Sequence, residues 1–110
     1  MLYLKETKET PLVIASTKEN FILLSGRSHI LDALTFYKPL IDMVYDKDLS
    51  MNVEIDLVYY NTTTTRVILK LLSELNEKST IKWYFEDQEE YEYAYDLQDL
   101  TELNFIFIKR

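Results

Sequence analysis

The chain has no cysteine, one histidine, one glycine and two prolines in 110 residues. Without cysteine there is no disulfide framework, no thiolate metal site and no thiol nucleophile. A single histidine excludes a multi-histidine zinc site. A single glycine excludes a glycine-rich phosphate loop. So few glycines and prolines also leave no flexible or polyproline linker. No apolar run exceeds about five residues, far short of the roughly 20 that a membrane-crossing helix needs. Met1 to Thr10 is polar and charged, with no hydrophobic leader segment. Positive charge is in deficit, with 12 basic against 19 acidic residues and a net charge of −7. Such a chain repels nucleic acid and anionic lipid unless its cations cluster, and Lys109 and Arg110 are too few to form a patch. The expectation is a small, cytoplasmic, single domain over residues 1–110, with no cofactor and with neither nucleic acid nor membrane as partner.

What is present suffices for a core. Apolar residues make up 47% and charged residues 28%, the balance of an ordinary globular domain. Pro11–Ser16 and Asn20–Ser25 read as a hairpin around the polar Thr17-Lys18-Glu19, with Gly26 ending the second strand. Arg27-Ser28 then leads into a helix through Ile30, Leu31, Leu34, Ile41 and Val44, which Pro39 should kink or divide. Asn52–Tyr60 alternates as a strand, with burial expected to rise toward Tyr60. Thr62 to about Glu77 has helical spacing at Ile68, Leu71, Leu72 and Leu75. Thr80–Glu86 is a strand, Asp87 to about Asp99 an acidic helix, and Leu103–Ile108 a last strand. The order β-β-α-β-α-β-α-β predicts an α/β fold, a small mixed sheet under a helical layer. Function in such sheets gathers at the C-terminal ends of parallel strands, which directs attention to Tyr59–Arg66.

That segment reads Tyr59-Tyr60-Asn61-Thr62-Thr63-Thr64-Thr65-Arg66. Four threonines are poor helix interior, because β-branching restricts χ1, but they supply hydroxyls at a helix start. Asn61 or Thr62 can serve as N-cap. The positive end of the helix dipole tolerates a phosphate, and Arg66, one turn beyond Thr62, can face one. Threonines at helix starts are most often plain caps.

The same stretch resembles the signature of the SiaC family of bacterial regulatory phosphoproteins. That signature is a hydrophobic strand, then Tyr-x-Asn-Thr-Ser/Thr-Ser/Thr-x-Lys, then a Leu-rich helix. Here Tyr59, Asn61, Thr62, Thr63 and Thr64 are in place, and Arg66 stands where lysine is usual. Thr7-x-x-Thr10-Pro11, Ser25-Gly26-Arg27-Ser28, Phe36-Tyr37-Lys38-Pro39-Leu40, Trp83-Tyr84-Phe85 and Phe105-Ile106-Phe107 fall in the family's order. Departures include Glu6 for a common glycine and His29-Ile30 for a Pro-Glu pair. The resemblance implies a fold similar to the STAS-like anti-sigma-factor antagonists and a chain that is not itself a catalyst. It implies phosphorylation of Thr62 by a partner kinase, with Thr63 and Thr64 as alternatives, and reversal by a metal-dependent phosphatase. It implies a diguanylate cyclase or other effector as the downstream partner, in c-di-GMP and biofilm signalling. Asn61, Thr63, Thr64 and Arg66 are then expected at the partner surface.

A different class of reading uses the acidic run Glu86, Asp87, Glu89, Glu90, Glu92 and Asp96. Such carboxylates suit a hard cation, and a small metal-dependent enzyme would use them. The run lacks the Asp-x-Asp-x-Asp-Gly pattern of a calcium loop. Within it, Tyr91, Tyr93 and Tyr95 alternate with period two, so the helix there is less firmly written. His29 follows Ser28, but adjacency in sequence does not make a catalytic pair.

Overall fold

The alternating apolar runs build six strands and the 3.6-residue patterns build three helices, and the computed structural model describes every residue from Met1 to Arg110. The order is β1 (Leu2–Leu4), β2 (Leu12–Ser16), β3 (Phe21–Ser28), α1 (Ala33–Val44), β4 (Asn52–Tyr60), α2 (Thr62–Ser73), β5 (Thr80–Phe85), α3 (Gln88–Thr101) and β6 (Asn104–Lys109). The strands form one sheet in sequential order. β1, β2 and β3 pair antiparallel, and β3 through β6 pair parallel. Each parallel pair is joined by a helix. Right-handed crossovers stepping in one direction put the three helices on one face. No helix is long and apolar enough to cross a membrane.

The core lies between that face and the helices. Ile22, Leu24, Val53, Ile55, Ile81 and Trp83 come from the strands, and Tyr37, Leu40, Ile68 and Leu72 from the helices. Each large apolar side chain so buried contributes on the order of 1.5–3 kcal/mol.

The structure adds to the sequence reading at several points. A strand, β1, precedes the expected hairpin and pairs Leu2, Tyr3 and Leu4 with Ala15, Ile14 and Val13. Three residues show only one alternation, too little to stand out among charged neighbours. Gly26 does not end β3. With φ of 116° it carries the strand on through Arg27 to Ser28, and helix α1 begins only at Ala33. A Cβ at Gly26 would also collide with the carboxylate of Glu6. Asp32 caps α1, its two oxygens accepting from Thr35 N at 3.2 Å and Thr35 Oγ1 at 2.6 Å. Pro39 stays inside this single helix.

Burial does not rise along β4. Gly26 pairs with Leu57 and Arg27 with Tyr59, so Val58 is an extra residue without a partner on β3. This bulge reverses the alternation. Val58 and Tyr59 turn outward, 54% and 42% exposed, and Tyr60 turns in to meet Trp83 at 6.1 Å between ring centroids.

Candidate functional site

β4 delivers its last residue, Tyr60, directly into the threonine-rich start of α2. Asn61 is the N-cap. Its Oδ1 accepts from Thr64 N at 3.0 Å, and its Nδ2 donates to the Ile30 carbonyl at 3.0 Å. The cap thereby ties α2 to the loop before α1.

The four hydroxyls that follow have different fates, because successive helical residues point about 100° apart. Thr62 is exposed and its hydroxyl has no partner within the protein. Thr63 is half-buried, its Oγ1 lying 2.7 Å from the Ile30 carbonyl and 2.9 Å from Asn61 Oδ1. Thr64 is fully buried. Thr65 donates back to the Thr62 carbonyl at 2.7 Å. Thr64, expected at a partner surface, is instead part of the interior, since its side chain points into the core beneath the cap. Asn61 borders the space beside Thr62, and Thr63 faces the hollow between α1 and α2. Arg66 is exposed and forms no ion pair.

Thr64 belongs to a buried chain of hydroxyls that can be oriented by elimination. The Ser28 carbonyl only accepts, so Thr64 Oγ1 donates to it at 3.1 Å. Thr64 has then spent its proton, and Ser28 Oγ donates to Thr64 Oγ1 at 2.7 Å. Tyr37 Oη in turn donates to Ser28 Oγ at 2.8 Å. Burial pushes the Tyr37 phenol up to about 12, so it stays protonated and remains a donor. In the sequence Ser28 reads only as a turn residue and Tyr37 as a helix residue. Their neighbourhood to Thr64 is tertiary. The Ser28 hydroxyl makes no hydrogen bond to the His29 ring, which packs against Tyr59 with 5.2 Å between ring centroids.

A cleft of about 550 Å³ opens beside Thr62, at the C-terminal ends of β4 and β5. Thr62 and Thr65 stand on one wall and Asp87, Glu89 and Glu90 on the other, with Tyr60 and Tyr93 between them. Asp87 caps α3, its Oδ1 accepting from Glu90 N at 2.9 Å. The N-termini of α2 and α3 therefore both face this space. Tyr93 Oη donates to the Thr65 carbonyl at 3.2 Å, linking the two helices. Its ring packs against Trp83 at 5.8 Å and Tyr60 at 5.9 Å. Burial pushes the Tyr93 phenol up to about 12 and raises that of Tyr60 further, with nearby Glu90 adding to the latter. Burial also raises the Glu90 carboxyl above its ordinary value, reinforced by the negative charges of Asp87 and Glu86. The period-two tyrosines lie on a helix after all: Tyr91 and Tyr93 pack over the sheet, and Tyr95 is 45% exposed.

The acidic run does not assemble a metal centre. No group of three or more His, Asp or Glu side chains converges anywhere in the chain to hold an ion. Glu89, Glu90, Glu92 and Asp96 are spread along α3, Asp87 is occupied as its cap, and Glu86 precedes the helix.

Residues 4–110 match the family described as SiaC family regulatory phosphoprotein. The chain belongs to the SiaC family. A comparison with curated protein sequences finds no match. Among solved structures, apo-SiaC from Pseudomonas aeruginosa aligns with a TM-score of 0.82 at 16% identity, covering 97% of each chain. SiaC in the crystal structure of the diguanylate cyclase SiaD with its activator SiaC, from the same organism, aligns at 0.84 and 15% identity over 100% of each chain. At such identity the likeness is one of fold, and it is the SiaC fold from end to end.

Proposed function

We propose that this SiaC-family protein is a phosphorylation-switched signalling adaptor with no catalytic step of its own. A partner kinase modifies Thr62, a metal-dependent phosphatase restores it, and the unmodified form engages an effector such as a diguanylate cyclase. One observation carries this reading: of the motif threonines, Thr62 alone has a hydroxyl that is both exposed and uncommitted, while Thr63 is tied to Ile30 and Thr64 is interior. A kinase can reach the first without unfolding the helix. Family membership supports a regulatory phosphoprotein role, and the SiaC–SiaD complex supplies the precedent for an effector.

The electrostatics give the switch its force. A phosphate on Thr62 adds about −1.5 to −2 charges at a helix N-terminus, which the α2 dipole favours. It also faces Asp87, Glu89 and Glu90 across the cleft, which oppose it. A partner burying this rim meets a neutral hydroxyl in one state and a dianion in the other. An unpaired buried charge costs several kcal/mol, enough to change partners. Asn61, Thr63 and Arg66 flank the switch and form its contact rim.

The test is site-resolved mass spectrometry of the protein from its own host, coupled to binding assays of Thr62→Ala and Thr62→Asp. Phosphate on Thr62, and partner sets that differ between the two variants, are the expected results. Identical partner binding by both variants overturns the reading.

A further inference from the structure

On the side of the molecule formed by α1 and α2, apolar side chains stand uncovered. Leu31 is 96% exposed, Leu34 50% and Tyr45 60%. Positions 31, 34, 38, 41 and 45 step by three and four residues, so they follow one stripe along α1 and its approach. Ile41, at 5% exposure, forms the floor. α2 answers with Thr63, Arg66, Val67 and Lys70 at the same spacing. Two adjoining hollows of about 310 and 270 Å³ share Leu34 and Lys70, so the stripes enclose one continuous groove.

The charge of this groove runs against that of the chain. The net charge is −7, yet the uncommitted charges here are positive. Asp32 is engaged as the cap of α1, and Asp42 pairs with Lys38 at 2.8 Å. Arg66 and Lys70 are exposed and have no ion pair. They lie one turn apart on α2, where like charges repel each other. An acidic partner would relieve that repulsion while covering the apolar stripe. Both walls are helices with satisfied backbones, so an added β-strand has nothing to pair with, whereas a third helix can lie between their ridges.

We propose that this groove docks an acidic amphipathic helix of a partner protein. The helix seats apolar residues on Leu34, Ile41 and Tyr45 and presents carboxylates to Arg66 and Lys70. The groove shares no lining residue with the Thr62 cleft, although Thr63 and Arg66, which line it, also flank Thr62, and docking in it requires no phosphate on Thr62.

The experiment uses the full, unmodified chain and a labelled synthetic helix of about 20 residues, roughly 30 Å long. Leucines occupy its i, i+3, i+4 and i+7 positions and glutamates flank them; a control peptide carries lysine for glutamate. Fluorescence anisotropy and amide chemical-shift mapping read the binding. The acidic peptide should bind with shifts on α1 and α2, and the lysine peptide at least about tenfold more weakly. Arg66→Glu with Lys70→Glu should invert that preference, and Leu34→Glu should abolish binding of both. These side chains are all solvent-facing, and matching circular dichroism and unfolding midpoints verify that the variants fold. No binding, equal binding of the two peptides, or shifts confined to the Thr62 cleft overturns the proposal. So does a wild-type dimer that Leu34→Glu dissociates, which would make a second copy the occupant.

Discussion

The hydroxyls of Ser28 and Thr64 meet at 2.7 Å in the fully buried interior, although 36 residues separate them. This contact joins the end of β3 to the first turn of α2, and through Tyr37 it reaches α1. Thr64→Val keeps the shape but removes the acceptor of the Ser28 hydroxyl proton and one of two donors to the Ser28 carbonyl, which still accepts from Asn61 N at 3.3 Å. The expected loss is about 1–3 kcal/mol in urea unfolding. The double variant Ser28→Ala/Thr64→Val should lose less than the sum of the single losses, because the two groups share one network. Strict additivity would mean that the bond has no coupling value.

Asn61 has two duties, and substitution can separate them. Asn61→Ala removes both the cap and the tether to Ile30, and should cost about 1–2 kcal/mol. Asn61→Asp keeps the cap acceptor and replaces the amide donation to the Ile30 carbonyl with a carboxylate oxygen facing that carbonyl. Its thermal midpoint should lie between those of wild type and Asn61→Ala.

Thr62 should be nearly silent in stability. Its hydroxyl supports no bond within the fold, so Thr62→Ala should unfold within about 0.5 kcal/mol of wild type. A large loss would assign Thr62 a structural role, and any signalling defect of the variant would then need another explanation.

Glu90 makes stability depend on pH in a stated direction. Its folded-state pKa is raised above the ordinary 4.5 by burial first, then by Asp87 and Glu86. The folded protein therefore holds this proton more tightly than the unfolded chain, and stability falls as pH rises from the ordinary value through the raised one. Glu90→Gln, which keeps the acceptor for Glu86 N, should be more stable than wild type at neutral pH by up to about 0.5 kcal/mol. The gain should vanish below about pH 4, where both side chains are uncharged. A gain that persists there would point to packing rather than charge.

Gly26 should not tolerate a side chain. Its φ of 116° is strained for any L residue, and a Cβ there meets Glu6. Gly26→Ala should lose about 1–3 kcal/mol. The pair Glu6→Gly/Gly26→Ala should recover only the steric part of that loss, measured by thermal unfolding.

Much of this protein is written locally. The periodicities of Asn52–Tyr60 and of Ile68–Leu75 specify a strand and a helix wherever they are placed. Asn61 followed by four threonines specifies a helix start, because those side chains cap well and propagate poorly. The ordered motifs likewise place the chain in its family. Local patterns could not disclose Val58 as a bulge, since only the register against β3 shows that two residues oppose one. That bulge alone decides that Tyr60 faces inward and Tyr59 outward. Nor could adjacent threonines be ranked by type. Thr62 is open and Thr64 enclosed because helical rotation turns one toward solvent and the other onto Ser28, which a parallel crossover brings from 36 residues away. The acidic run was equally plain in sequence, and only the tertiary structure decided that Asp87, Glu89 and Glu90 line a cleft while no three of its carboxylates converge on one point. Composition and spacing determined the elements, and the ordered motifs carried the family resemblance; the convergence of distant segments determined which side chains are available for chemistry.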